Sequence, residues 1–335
     1  MKYIATIYLI LNFCIHPAAQ LSKREAAYIK STAPCGGMDS VLSRKGNWKK
    51  VDDDDVFPDK TFPRSQFKLV NSRIDSIFKL FKESITDCSG FEPKWYRGIR
   101  GGSYTMDGPV PYTFTSLYFN YYCNSNTGKM SPGDETWNWY HVFVNHYNWF
   151  CTKLGDWDYK GDGKKIMIFL LPPKVGTWKG RTLYAPLIPK PNTRAVVLSH
   201  NKKLPWHSLS RKEYLLGLKY HLREVQLKYS YPNAQKEMDE IDAYIANSTE
   251  ESLKQPAVVP ARNGLRFNGK WEDEEQGGSR VVVFSSTYWN DNLPRYAAQF
   301  MILFWYWDDD PVSLSIKKQY EENFPLEKLK ALVDK

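Results

Sequence analysis

Apolar residues three and four positions apart predict a helix at residues 66–86. The apolar positions are Phe67, Val70, Ile74, Ile77, Phe78, Phe81 and Ile85. One side of a helix carries them all, so we expect this stripe to lie against a core. A second helix begins after Ser210, because Ser210 and Glu213 have the spacing of a capping box. Further helical patterns cover residues 234–253 and 326–334.

Between these helices the pattern changes to runs of aromatic and β-branched residues, which strands favour. The runs cover residues 112–123, 137–151, 165–171, 182–188, 194–199, 280–285 and 299–307. Several of them follow one another without an intervening helix, which favours antiparallel pairing over βαβ units. We therefore expect an α+β fold with a large antiparallel sheet and helices packed on it. The order of elements also allows two related α+β layers, 66–200 and 208–335.

The first twenty residues have the layout of a secretory signal peptide. Lys2 supplies the positive charge, an apolar run extends from Tyr3 to Ile15, and small residues follow. The apolar run has about 13 residues, whereas a membrane-spanning helix needs about 20. We therefore expect residues 1–19 to be removed on export and no later segment to cross a membrane. The mature protein is predicted to be secreted, periplasmic or at the cell surface.

The segment that follows the signal peptide shows no periodic pattern. Residues 20–65 contain the acidic run 52–55 and the helix-breaking Pro58 and Pro63. We expect an irregular N-terminal segment, followed by a globular region at 66–335.

The chain is moderately basic, with 46 Lys and Arg against 37 Asp and Glu, and a formal net charge of +9 over 335 residues. No RNA-binding signature or concentrated basic stripe accompanies this charge, so nucleic acid is not an expected partner. The charge instead favours contact with acidic polymers or lipid headgroups of the cell envelope. The expected partner is a glycan or an acidic envelope polymer.

Four cysteines remain after the signal peptide: Cys35, Cys88, Cys123 and Cys151. They allow two disulfides in three pairings, and four buried thiols are an equal alternative. If the first two predicted strands form a hairpin, Cys123 and Cys151 lie at opposite ends, about 40 Å apart. A disulfide needs Cα atoms within about 7 Å, so this pair is not expected. Cys88 is then the better partner for Cys151.

Metal and cofactor signatures are missing from the sequence. His141 and His146 are five residues apart, which predicts opposite faces of a regular strand. His221 and Glu224 share a helix face but belong to no specific zinc pattern. Neither a nucleophile elbow around a serine nor a glycine-rich phosphate loop is present. We expect neither a metal nor a cofactor.

Residues 156–163 resemble the start of a calcium-binding loop. Asp156, Asp158 and Gly161 occupy suitable positions, but Lys160 stands where a ligand is needed, and Met167 replaces the final glutamate. A glycine-rich turn is the better interpretation.

Aromatic residues are abundant, at 15% of the chain. Trp137, Trp139 and Trp149 would share one face of a regular strand. Flat indole rings can stack on sugar rings, although the same residues could simply pack a core. We select these three tryptophans as candidate ligand-binding residues.

Catalytic residues cannot be selected from spacing alone. A glycosidase needs two carboxyl groups that the fold brings together. Candidates beside predicted turns are Asp134, Glu135, Glu272, Asp273, Glu274 and Glu275.

Residues 267–335 contain the stretches Trp271–Gly278, Asn292–Arg295 and Asn323–Lys328. These three stretches resemble exported bacterial proteins that carry no assigned activity. The resemblance implies a bacterial envelope setting and no catalytic residues. Our leading hypothesis is a non-enzymatic exported envelope or binding protein. The alternative is a carbohydrate-active hydrolase that uses a carboxylate pair near the sheet turns.

Overall fold

The computed structural model describes residues 23–51, 64–99, 109–136, 138–147, 149–186, 192–200, 203–261 and 265–335. The predicted signal peptide lies outside these ranges. The described helices are α1 (Lys23–Thr32), α2 (Gly37–Leu42), α3 (Arg64–Ser84), α4 (Arg211–Tyr229), α5 (Ala234–Ala246), α6 (Glu250–Lys254), α7 (Pro311–Asn323) and α8 (Leu326–Lys330). The described strands are β1 (Lys49–Lys50), β2 (Phe91–Ile99), β3 (Tyr112–Asn124), β4 (Lys129–Pro132), β5 (Trp139–Val144), β6 (Thr152–Trp157), β7 (Ile166–Leu170), β8 (Lys174–Trp178), β9 (Arg181–Tyr184), β10 (Thr193–Ser199), β11 (Trp206–Ser208), β12 (Val258–Pro260), β13 (Gly278–Phe284) and β14 (Phe300–Tyr306).

The larger sheet has nine strands in the order β1-β2-β3-β5-β14-β10-β9-β8, with β4 paired to β3. Among the described strands, only the β1–β2 pair is parallel. The predicted α+β fold with a large antiparallel sheet is thus confirmed. The predicted pairing of the first two long strands is also present, because β3 and β5 are antiparallel neighbours.

Strand β14 lies near the middle of this sheet and is buried along its whole length. Successive side chains of a strand point to opposite faces. Met301, Leu303 and Trp305 therefore pack with helices α3, α7 and α8 in one core. Phe300, Ile302, Phe304 and Tyr306 enter a second core on the opposite face.

The second, smaller sheet covers this opposite face. Its strands run in the order β11-β13-β7-β6, with β12 paired to β13. Val282 joins the core between the sheets, whereas Val281 and Val283 face helices α4 and α5. Gly217 lets α4 lie close to the smaller sheet at Trp157 of β6, since a Cβ at Gly217 would lie 2.8 Å from the ring of Trp157.

The layers are therefore helices, sheet, sheet and helices. They do not follow a division of the sequence into 66–200 and 208–335. Strands β13 and β14 each complete a sheet that earlier strands begin. No helix of the described residues has both the length and the apolar character to span a membrane.

The N-terminal segment differs from the expected irregular chain. Two short helices, α1 and α2, lie within residues 20–65. Periodicity could not reveal α1, because Thr32 is its only buried residue. The segment is attached to the larger sheet by a disulfide between Cys35 and Cys123, whose Cα atoms are 5.6 Å apart.

This disulfide corrects the expected cysteine pairing. The prediction that Cys123 does not pair with Cys151 is confirmed. The prediction that Cys88 is the better partner for Cys151 was wrong. Cys88 and Cys151 are free thiols in the part of the chain that the structure describes. Cys35 pairs with Cys123 because the helical segment that carries Cys35 folds back onto β3. Strand geometry alone does not reveal this contact.

We expect the Cys35–Cys123 disulfide to stabilise the fold by about 2–4 kcal/mol, because it closes a loop across a sequence separation of 88 residues. Cys35→Ser should lower the chemical denaturation midpoint, and reduced wild-type protein should match that variant. Cys88→Ser, which breaks no bridge, is the control. An unchanged midpoint after complete reduction would contradict this role.

Candidate functional site

Trp149 stands apart from the other tryptophans that the structure describes. It is 40% exposed, whereas the others are buried or half-buried. It lies in the connection that carries the chain from β5 of the larger sheet to β6 of the smaller one. The sequence predicted an unbroken strand over 137–151, but the strand ends at Val144.

Asn145 causes the strand to end. Its backbone has a φ of 57°, in the left-handed region that asparagine tolerates better than most residues. Its buried side-chain amide donates to the carbonyl oxygens of Val110 at 3.1 Å and Ala297 at 2.8 Å. Its side-chain oxygen accepts from the backbone N–H of Gln299 at 2.8 Å. These bonds fix the turn and send the chain towards the second sheet.

Trp149 also adopts a left-handed backbone, with a φ of 60°. For a residue other than glycine this conformation costs about 1–2 kcal/mol. Strained backbone tends to persist at functional sites, where surrounding structure holds it in place. An exposed indole on a strained backbone is therefore a candidate ligand contact.

The ring of Trp149 belongs to what we call the histidine–aromatic cluster. Its members are Trp139, His141, Phe143, His146, Trp149, Phe304 and Tyr306. The rings of Trp139 and Trp149 lie 6.5 Å apart. The structure thus brings two of the three candidate tryptophans together, through the turn at Asn145 rather than by strand alternation. Trp137 lies outside the described residues.

Both histidines of the cluster bind threonines of β3. Nδ1 of His141 lies 2.8 Å from Oγ1 of Thr115, and Nε2 of His146 lies 2.8 Å from Oγ1 of Thr113. Thr113 and Thr115 are two residues apart, so they share a sheet face. The prediction that the two histidines face opposite ways was wrong, because the strand does not continue past Val144.

His141 is neutral at pH 7. Burial, reinforced by the neighbouring His146, lowers the pKa of His141 from 6.5 to about 3. Its Nε2 atom is buried and has no hydrogen-bond partner among the residues that the structure describes. A buried polar atom left in this state costs about 1–3 kcal/mol. The enclosing aromatic rings keep water away from the imidazole, and this loss of hydration disfavours its charged form.

Trp149 also lines a cavity of about 230 Å³. The other lining residues are Phe150, Cys151, Thr152, Lys153, Leu170, Leu171, Pro172, Ala261 and Ser279. They come from the start of β6, the end of β7 and the edge near β12 and β13. Apolar rings and aliphatic side chains form much of the wall, and Thr152, Lys153 and Ser279 add polar groups. This combination is typical of small-molecule sites.

The His221–Glu224 pair and the calcium-like loop have structural explanations. Glu224 forms an ion pair with Lys165 at 3.0 Å, and His221 stacks on the ring of Trp157. The Asp158 carboxylate accepts hydrogen bonds from the backbone N–H groups of residues 161–163 and so stabilises a turn. The described residues contain no group of three or more acidic, histidine or cysteine side chains arranged to hold a metal.

The sequence matches no known protein-family model, and no curated protein or solved structure is significantly similar to it. The resemblance of residues 267–335 to exported bacterial proteins stays a prediction.

The pKa of His141 predicts a dependence of stability on pH. Between pH 6.5 and 3 the unfolded chain binds a proton at His141 that the folded chain does not. The free energy of unfolding should therefore decrease as the pH is lowered from 6.5 to 3, by about 1.4 kcal/mol for each pH unit from this group. His141→Gln should remove that contribution to the slope, as measured by denaturation at pH 6 and pH 4. The exposed His207→Gln is the control, and equal slopes in both variants would refute the assignment.

Proposed function

We propose that this chain is an exported, non-enzymatic glycan-binding protein whose ligand stacks on Trp149. The observation that carries the proposal is the exposed, strained Trp149 beside the 230 Å³ cavity. One face of a sugar ring carries C–H groups and suits an indole surface, while its hydroxyl groups need polar partners. Thr152, Lys153 and Ser279 supply polar groups in the same cavity.

The composition of this cavity favours binding over hydrolysis. Glycoside hydrolysis requires two carboxyl groups, commonly about 5–10 Å apart. None of the residues described as lining the cavity is an aspartate or glutamate. The nearby Asp156 forms an ion pair with Lys153 at 3.1 Å.

The hydrolase alternative depends on a different cavity, which Glu135, Asp308 and Asp310 line together. Burial raises the pKa of Asp310, as a general acid requires. However, the Asp310 carboxylate accepts hydrogen bonds from the backbone of α7 and from the side chains of Asn120 and Ser313. Both carboxylate oxygens of Asp310 therefore accept hydrogen bonds that hold the fold together, so the hydrolase alternative has less support.

The setting in the cell envelope belongs to the same proposal. The signal-peptide pattern of residues 1–19 supports export, and the net charge of +9 supports contact with acidic envelope polymers. Glycans are exposed at the cell surface, where such a protein would meet them.

Removal of the Trp149 ring tests the proposed site. A glycan array with the mature wild-type protein should identify a ligand, and Trp149→Ala should weaken its affinity at least tenfold in calorimetry. Trp149→Phe should retain part of the affinity, because it keeps a flat ring. Tyr229→Ala, which removes an exposed aromatic ring from α4, is the control and should bind normally. Unaltered affinity in Trp149→Ala would refute the site, and release of new reducing ends from the glycan would refute a non-enzymatic function.

Export has its own test. Protein isolated from the envelope of a native host should begin near Leu21, because cleavage is expected after the small residues that end the signal peptide. Mass spectrometry of the intact chain measures this directly. An intact Met1 in envelope protein would contradict the proposed export.

A further inference from the structure

Helix α1 covers a second cavity, of about 250 Å³. Its lining residues are Arg24, Tyr28, Asn120, Tyr122, Gly133, Glu135, Thr136, Asn138, Asp308 and Asp310. They come from α1, from β3, from the connection between β4 and β5, and from the loop after β14. None of them lines the Trp149 cavity.

The floor of this cavity is a closed network of hydrogen bonds. The side-chain amide of Asn120 donates to Asp310 at 2.9 Å, and that of Asn138 donates to Ser313 at 2.8 Å. Asp310 also accepts from the backbone N–H groups of Val312 and Ser313, both at 3.0 Å, and so caps α7. Asn138 and Asp310 are almost fully buried. A floor with its polar groups satisfied in this way is rigid and already formed.

The rim carries polar groups that remain open to solvent. Arg24 forms an ion pair with Asp308 while its own side chain is 61% exposed. Only one nitrogen of the Arg24 guanidinium is used in this contact, so its other N–H groups can still donate. Glu135 is exposed and makes no hydrogen bond to the residues described by the structure, and the ring of Tyr122 adds an aromatic wall.

These groups select for a ligand with hydroxyl groups rather than a simple ion. Each hydroxyl both donates and accepts a hydrogen bond, and an adjacent guanidinium and carboxylate offer both partners. The charge of Arg24 offsets that of Asp308, and the further negative charge of Glu135 disfavours an anionic ligand. A flat ring such as that of Tyr122 suits the C–H face of a sugar.

The cavity depends on α1 staying in place. A helix of ten residues is too short to be stable alone in water. Besides the Arg24–Asp308 pair, α1 is held by the hydroxyl of Tyr28, which donates to the carbonyl of Tyr121 at 2.6 Å. The Cys35–Cys123 disulfide ties the following turn to β3, the strand that supplies Asn120 and Tyr122.

We infer that the cavity under α1 is a second ligand site, which binds a neutral sugar ring through vicinal hydroxyl groups on Arg24 and Asp308. The site is complete only while the Cys35–Cys123 disulfide is intact. The inference goes beyond the proposed function, because it stands whether or not a glycan stacks on Trp149.

Saturation-transfer NMR and calorimetry with D-glucose, D-galactose, D-mannose and N-acetyl-D-glucosamine test the site, with glycerol as the acyclic control. Oxidised wild-type protein should bind at least one of the four sugars in preference to glycerol. Asp308→Asn and Arg24→Gln should each weaken that binding at least tenfold. Asp309→Asn is the matched control, since Asp309 is the exposed neighbour that contacts Asn192 instead. It should bind normally.

Two further variants separate this site from its alternatives. Trp149→Ala should bind the monosaccharide with wild-type affinity. Evidence against ligand binding at Trp149 would therefore not count against the site under α1. Cys35→Ser and the reduced wild-type protein should lose binding, and reoxidation of the wild type should restore it. Near-ultraviolet circular dichroism checks that the rest of the fold persists.

Three results would overturn the inference. The first is that oxidised wild-type protein binds none of the four sugars, or binds glycerol equally well. The second is that Asp308→Asn and Arg24→Gln both bind as the wild type does. The third is that Trp149→Ala abolishes binding, which would assign the monosaccharide to the Trp149 cavity. Retained binding in folded, reduced protein would overturn the dependence on the disulfide.

Discussion

Strand β14 is the element on which the two central layers depend. It pairs with β5 on one side and with β10 on the other, and all seven of its residues are buried. Its side chains alternate between two cores, one against helices and one against the second sheet. Complete burial of a large apolar side chain contributes about 1.5–3 kcal/mol. A single strand of such residues therefore couples the helical layer to the second sheet.

The start of the same strand also fixes the connection that carries Trp149. The backbone N–H of Asn145 donates to the carbonyl of Phe300 at 3.1 Å, next to the bond from Gln299 to the Asn145 side chain. The chain consequently leaves the larger sheet at one defined point. The position of Trp149 at the cavity follows from this central core rather than from an independent loop.

Both proposed sites lie where the chain departs from the regular layers. The Trp149 cavity lies at the crossover between the sheets, and the cavity under α1 lies where the disulfide attaches the N-terminal helices to β3. Packing inside the layers leaves little freedom for side chains to meet a ligand. At the two margins, Trp149 and Arg24 stay exposed while rigid neighbours hold their surroundings in place.

Local patterns in the sequence determined the type of most elements. The apolar stripe predicted a helix at 66–86, where α3 spans Arg64–Ser84, and the Ser210–Glu213 capping box forms with both of its hydrogen bonds. The alternation and composition of the strand runs predicted the antiparallel sheet. These features depend on neighbours a few residues away, so periodicity and capping residues report them directly.

The tertiary structure decided which of these elements and side chains meet. Cys35 pairs with Cys123 because a short helical segment, without a periodic signal, folds onto β3. His141 and His146 share a sheet face, and Trp149 joins Trp139, because Asn145 takes a left-handed backbone. That conformation is held by bonds to Val110 and Ala297, which are 35 and 152 residues away in the chain. A sequence pattern records only what is close along the chain, whereas these contacts exist only after the sheets have been assembled.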